Sequence, residues 1–137
     1  MRYDELVGQV QARARLADGG QARAAIRATL ETLGERIPEG LAENLAAQLP
    51  REIGEHLRRT VVAAGAGTGE RFERDEFIGR VAQRAGMDGP RATYAVRVVL
   101  EVVDEATQGG VMARVREALP ADLAELAQAG GRGELPG

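Results

Sequence analysis

The chain of 137 residues contains no cysteine, no lysine, no serine and no tryptophan. Without cysteine it can form no disulfide, thiolate metal site or catalytic thiol, and we expect a reducing, cytoplasmic location. The absence of serine excludes a serine nucleophile, and the absence of lysine removes the usual cation of a glycine-rich phosphate loop. Because the common catalytic groups are so scarce, we predict that the protein is not an enzyme and carries no cofactor.

Aromatic side chains and long hydrophobic runs are also scarce. Two tyrosines and two phenylalanines offer little surface for stacking on bases, sugars or flat cofactors. No stretch approaches the roughly 20 apolar residues that a transmembrane helix needs. The charged residues among positions 1–5 are unlike a signal peptide. We therefore expect neither a membrane span nor export by that route.

The formal net charge is −3, and the 18 basic residues, all arginine, are spread along the chain. A surface that binds a phosphate backbone normally gathers its basic residues into a patch or stripe. The sequence therefore predicts no nucleic-acid partner.

Internal repetition is the strongest positive signal in the sequence, and it bears on the whole fold. A displacement of 71 positions aligns DELVG of residues 4–8 with DEFIG of residues 75–79, and a displacement of 70 aligns the residues after the following loop. Identical pairs in this alignment are Arg13 with Arg84, Ala22 with Ala92, Arg27 with Arg97, Glu31 with Glu101, Glu35 with Glu105, and Leu49 with Leu119. We interpret the chain as two tandem copies of one helical unit.

Apolar residues recur at helical spacing within the first copy. This pattern predicts a first helix that ends near Ala17 and a long second helix that starts at Asp18 or at the glycines after it and reaches Ile37. Pro38 and Pro50 suit the first positions of two shorter helices.

The second copy contains a valine-rich segment from Tyr94 to Val103, which local propensity alone would allow to be a strand. Its aligned partner, residues 24–33, consists mainly of strong helix formers, so the repeat favours a helix in both copies. The predicted fold class is all-α, a compact bundle of about seven or eight short helices.

The predicted organisation has four parts that follow composition as well as the repeat. They are a first helical repeat at residues 1–61, a Gly-rich joint at residues 62–70, a second repeat at residues 71–128 and a disordered tail at residues 129–137. We expect the two repeats to pack as one domain.

The run AIRATLETLGERI at residues 25–37, followed by AAQLP at residues 46–50, resembles the bacterial family known as domain of unknown function 2267. The resemblance spans nearly the whole chain, although the second copy keeps only LEVVDE at residues 100–105 and REALP at residues 116–120. It implies a duplicated helical unit. It implies no catalytic or binding residues, so no site can be assigned from it.

Two features invite a metal-binding interpretation and support it poorly. His56 is the only histidine, which excludes a histidine cluster, and we interpret it as an ordinary polar residue. The carboxylates Glu70, Glu73, Asp75 and Glu76 favour a helix start through the helix dipole and lack the spacing of a calcium loop. We predict no metal site.

Arg27 with Glu31 and Arg97 with Glu101 form pairs four residues apart, one pair in each copy. One hypothesis places all four in a polar site between the repeats that could hold an anionic ligand through both arginines. The alternative, which we favour, is an ion pair at the rim of the core or a link between neighbouring helices.

Two functions remain open at this stage. The first is a non-enzymatic module for protein–protein interaction or self-association, with an unknown protein partner or a homo-oligomer. The alternative is a protein that binds or senses a small apolar or anionic ligand between the two repeats. An interaction module needs an exposed apolar patch, whereas a ligand-binding protein needs a pocket.

Overall fold

The computed structural model describes residues 1–64 and 72–131, and eight α-helices with no strand lie within these two ranges. The first four are α1 (Tyr3–Arg13), α2 (Gly19–Arg36), α3 (Glu39–Ala47) and α4 (Arg51–Ala64). The second four are α5 (Arg74–Ala85), α6 (Gly89–Glu105), α7 (Val111–Ala118) and α8 (Ala121–Gly131). The predicted all-α class is confirmed.

Aspartates cap both long helices. The side chain of Asp18 accepts a hydrogen bond of 2.9 Å from the backbone N–H of Gln21, and Asp88 accepts one of 2.9 Å from Arg91. Each bond satisfies one of the N–H groups that a helix start leaves without a partner inside the helix. The predicted start of the second helix at Asp18 is confirmed.

The first helix ends earlier than the sequence pattern indicates. It ends at Arg13, and Arg15 takes a left-handed backbone conformation with φ of 56°. At the aligned position after α5, Gly86 has φ of 68°. A left-handed residue reverses the chain after the helix, and it is strained for arginine but not for glycine. Apolar spacing continues through buried Ala14 and Leu16, so periodicity alone overestimates the helix.

The valine-rich segment from Tyr94 to Val103 is helical, as the repeat predicts, because α6 spans it completely. Its strand-like composition has a physical cause. Most side chains along this part of α6 are buried, including Val98, Val99, Val102 and Val103. A helix surrounded by other helices has no solvent face, so β-branched residues can fill every side of it.

The two four-helix halves interlock through their long helices. Helix α2 packs against α1 and α4 of its own half and against α5 and α6 of the other. Helix α6 correspondingly packs against α5 and α8 and against α1 and α2. One continuous apolar core results, in which the largest fully buried side chains include Leu6, Ile26, Leu30, Leu33, Phe77, Leu100, Leu123 and Leu126.

Two arginine–glutamate pairs join the halves. Arg13 on α1 donates to both carboxylate oxygens of Glu105 on α6 at 2.8 Å and to Glu101 at 2.6 Å. Arg84 on α5 donates to both carboxylate oxygens of Glu35 on α2 at 2.8 Å. Bidentate pairs of this kind combine charge with fixed geometry. Each half therefore holds the first helix of the other.

These pairs keep both carboxyl groups charged. The hydrogen bond from Arg13 lowers the pKa of Glu105. Burial alone would raise the pKa of Glu35, but hydrogen bonds from Arg84 and Arg80 outweigh it and lower that pKa. A lowered carboxyl pKa contributes stability above the ordinary pKa of about 4.5, and this contribution disappears as the pH falls through the folded-state value.

The predicted joint and tail lie partly outside the described residues. Helix α4 continues to Ala64, and residues 65–70 of the predicted joint are not described. Helix α8 continues to Gly131, and residues 132–137 of the predicted tail are likewise outside the described range.

A close approach between α3 and α4 depends on a glycine. A Cβ atom at Gly54 would lie 2.7 Å from the backbone oxygen of Ala46, closer than side chains come to backbone atoms. Gly79 on the exposed face of α5, by contrast, has nothing within 4 Å of its Cβ position.

Replacing Gly54 with alanine should destabilise the protein by about 1–3 kcal/mol, because α4 must move away from α3. The matched variant Gly79→Ala should stabilise it by about 0.5–1 kcal/mol, since alanine is the better helix former. Chemical denaturation of both variants measures the difference. Equal effects of the two substitutions would contradict the close helix contact.

Candidate functional site

The first predicted pair forms on α2, and its glutamate is buried. Arg27 Nη1 lies 3.5 Å from Glu31 Oε1, and Arg59 on α4 donates to the other oxygen at 3.0 Å. Arg27 also reaches the other half, where its Nη2 donates to the backbone oxygen of Arg84 at 3.2 Å. Arg27 and Glu31 thus link neighbouring helices at the edge of the core.

The second predicted pair is arranged differently. Glu101 is buried on α6 and receives its hydrogen bond from Arg13. The Nε atom of Arg97 is buried and has no hydrogen-bond partner among the described residues. Over residues 1–64 and 72–131, no ion pair or hydrogen bond joins Arg27 or Glu31 to Arg97 or Glu101.

An open cleft of about 330 Å³ lies instead within the first half, beside Arg27. Helices α1, α2 and α4 form it, and its lining consists of Tyr3, Gly20, Arg23, Ala24, Arg27, Glu52 and His56. We name this feature the α2 cleft. Its volume is at the lower end of the range typical of small-ligand sites, about 300–1,000 Å³.

Ala24 lines the cleft with a small side chain. In the alignment of the two halves, position 24 corresponds to Tyr94, and position 56 corresponds to Leu126. Tyr94 is half-buried and donates from its hydroxyl to the backbone oxygen of Arg13 at 3.1 Å, while Leu126 is fully buried. The two halves therefore differ in side-chain size and polarity at two positions that line the cleft.

Positive charge on one wall of the α2 cleft comes from arginine side chains, because the carboxylate of Asp18 already caps the start of α2. Arg23 is exposed and forms no ion pair with any described residue. Together with Arg27 it places two guanidinium groups on one wall, an arrangement suited to carboxylate or phosphate.

His56 contributes a buried polar atom that lacks a partner. Its Nδ1 is shielded from solvent and has no hydrogen bond with any described residue. Burial is the main cause that lowers its pKa from 6.5, and the nearby charge of Arg59 adds to the effect. The imidazole is therefore neutral at pH 7 and can donate or accept one hydrogen bond.

His56 was not predicted to belong to a site, because a lone histidine carries no local signal. One indirect signal was present in the alignment. A small residue, Ala24, stands where the other copy has tyrosine, and a polar residue, His56, stands where it has leucine. Paired differences of this kind mark a place where the side chains of the two halves pack differently.

A second cleft of about 340 Å³ lies where α2, α7 and the start of the second half meet, lined by Arg36, Phe72, Glu73, Ala118, Leu119 and Pro120. Its cation is already engaged. Arg36 donates to the backbone oxygen of Phe72 at 2.8 Å, and the guanidinium of Arg80 lies 3.9 Å from the centre of the Phe72 ring. These contacts are typical of a structural junction.

The described residues include no group of three or more histidine, aspartate or glutamate side chains placed to hold a metal ion. Of the carboxylates that the sequence brings together, Asp75 and Glu76 lie in the first turn of α5, as expected from the helix dipole, and Glu70 lies outside the described residues. None of the described helices is long and apolar enough to cross a membrane.

Comparison with protein families identifies a match over nearly the whole chain. The model of a family described as "Uncharacterized conserved protein (DUF2267)" matches residues 3–126. This confirms the resemblance inferred from residues 25–37 and 46–50. No curated protein matches the chain.

Replacing Arg27 with methionine should destabilise the protein by about 1–3 kcal/mol, because buried Glu31 loses one of its two cations. The aligned substitution Arg97→Met removes no hydrogen bond and should change stability by less than about 0.5 kcal/mol. Urea denaturation of the two variants tests this contrast. A larger loss for Arg97→Met would show that Arg97 has a role its contacts do not account for.

The pKa of His56, measured from its imidazole NMR signals, should lie below 6.5. Because burial lowers this pKa, neutral His56 contributes stability at neutral pH, and the contribution is lost as the pH falls below 6.5 towards the folded-state value. The free energy of unfolding should therefore decrease between pH 7 and pH 5 in the native protein. His56→Leu, which introduces the residue found at the aligned position 126, should remove that part of the decrease. An unchanged profile would contradict burial of the imidazole.

Proposed function

Since the chain belongs to the DUF2267 family of uncharacterised conserved proteins, we propose its function from its own geometry: it is a non-enzymatic protein that binds a small anionic ligand in the α2 cleft. The observation that carries this proposal is the lining of the cleft. Arg23 and Arg27 stand on one wall, and His56 lines another. Two guanidinium groups on one wall suit a carboxylate or phosphate group.

The three groups have different freedom to bind. Arg27 is held in place by its bonds to Arg84 and Glu31, so it offers a positioned charge. Arg23 has no described partner and can turn towards a ligand. Neutral His56 supplies a hydrogen bond without a charge. A preorganised cation beside a mobile one loses less entropy on binding than two mobile cations would.

Protein–protein interaction or self-association stays a prediction. That hypothesis asks for an exposed apolar patch. Over the described residues, the single large hydrophobic side chain that is exposed is Met1, at 39% of its full area. The geometry therefore favours the ligand-binding alternative over the interaction module. The cytoplasmic location likewise stays a prediction, made from the absence of cysteine.

We also infer that the two halves arose as copies of one unit. The helix order and lengths correspond, and Asp18 and Asp88 cap equivalent helices. The crossed pairs support the same inference, since aligned Arg13 and Arg84 bind aligned Glu105 and Glu35. On this view the α2 cleft is a specialisation of the first copy, because the first copy has alanine at position 24 where the second copy has tyrosine at position 94.

An Ala24→Tyr variant tests the site directly, since the second copy accommodates tyrosine at the aligned position. We expect inorganic phosphate and glutarate to shift the NMR signals of His56 and of the arginine Nε–H groups saturably in the native protein. In Ala24→Tyr these shifts should be lost, because the ring fills the cleft. Arg23→Gln should weaken binding about tenfold through loss of one charged hydrogen bond.

Arg91→Gln provides the matched control. Arg91 is an exposed arginine in the first turn of α6 that does not line the cleft, so its loss should leave both dissociation constants unchanged. Two results would overturn the proposal. One is the absence of saturable shifts in the native protein, and the other is binding that persists in folded Ala24→Tyr.

A further inference from the structure

The α2 cleft contains an uncompensated negative charge as well as positive ones. Glu52, in the first turn of α4, lines the same cleft as Arg23. Both side chains are exposed, and in the described parts of the chain neither forms an ion pair with the other or with a third group. Other surface charges on α4 do pair, as Arg58 does with Glu43 at 2.8 Å.

This arrangement separates charge across the cleft. Helix α2 supplies the guanidinium groups of Arg23 and Arg27, and α4 supplies the carboxylate of Glu52. A ligand with negative charge at both ends would bring one of its ends towards Glu52. Like charges brought together in a site oppose binding, so Glu52 selects against such a ligand.

We infer that the ligand of the α2 cleft is amphoteric, with a carboxylate or phosphate at one end and an ammonium group at the other. The acidic end contacts Arg23 and Arg27, and the ammonium group contacts Glu52. This inference rests on the proposed function and narrows its ligand class. Each charged end then meets the opposite charge, and the neutral imidazole of His56 is left to hydrogen-bond either end.

The size of the cleft limits the ligand to a short molecule. At about 330 Å³ it holds the volume of roughly eleven water molecules, at about 30 Å³ for each. A short linear ω-amino acid fits that space, whereas a nucleotide or an extended peptide would project beyond it. Apolar surface makes up the larger part of the lining, so the methylene chain between the two charged ends can also contact the cleft.

Two probes of equal length separate this ligand class from simple anions. Glutarate carries a carboxylate at each end of a short chain, and 5-aminopentanoate replaces one of them with an ammonium-bearing carbon. We expect the native protein to bind 5-aminopentanoate at least fivefold more tightly than glutarate, measured by NMR titration at pH 7. In Glu52→Gln this preference should fall to onefold or below, because the repulsion of glutarate and the attraction of the ammonium group both disappear.

Glu117→Gln is the control, since Glu117 is an exposed glutamate on α7 that does not line the cleft. This variant should prefer 5-aminopentanoate over glutarate by the same factor as the native protein. The outcomes distinguish the two proposals. If glutarate binds in the cleft and 5-aminopentanoate binds no more tightly, or if Glu52→Gln leaves the ratio unchanged, the amphoteric ligand is wrong while anion binding stands. If neither probe nor phosphate binds, the proposed function itself fails.

Discussion

The architecture depends on the crossed arginine–glutamate pairs between the two halves. Arg13 at the end of α1 holds Glu105 of α6, and Arg84 at the end of α5 holds Glu35 of α2. Removing Arg13 would leave the buried carboxylate of Glu101 without its hydrogen-bond donor, and removing Arg84 would leave Glu35 with Arg80 alone; both losses are unfavourable. The pairs therefore fix α1 over α6 and α5 over α2. With these helices in place, both long helices are enclosed on several sides, and the core becomes continuous.

The same constraint sets the position of the α2 cleft. Arg13 ties down one end of α1, while Tyr3 at its other end lines the cleft beside α2 and α4. On the long helices, Ala24 lines the cleft in the first half, whereas Tyr94 at the aligned position donates to the carbonyl of Arg13. Two halves with similar backbones thus differ locally in side-chain packing.

Much of the fold was predictable because its signals are local or repeated. Asp18 marks a helix start by its own capping chemistry. The helical state of the segment from Tyr94 to Val103 followed from its better helix-forming counterpart, although its own valines favour a strand. The end of α1 was missed. The left-handed conformation of Arg15 ends that helix, and arginine gives no indication of it, whereas glycine at the aligned position 86 does.

The sequence by itself determined the helix class, the cap at Asp18 and the Arg27–Glu31 pair, because each depends on residues within a few positions of one another. Only the tertiary structure decided how the buried charges are partnered. Arg97 and Glu101 share the spacing of the first pair, yet Glu101 accepts its hydrogen bond from Arg13, which is 88 positions away in the chain. Helix geometry places two side chains on one face, but the choice between competing donors depends on which helix end packs nearby. The α2 cleft is a tertiary feature for the same reason, because its walls come from three helices that only the folded chain brings together, with the small side chain of Ala24 among them.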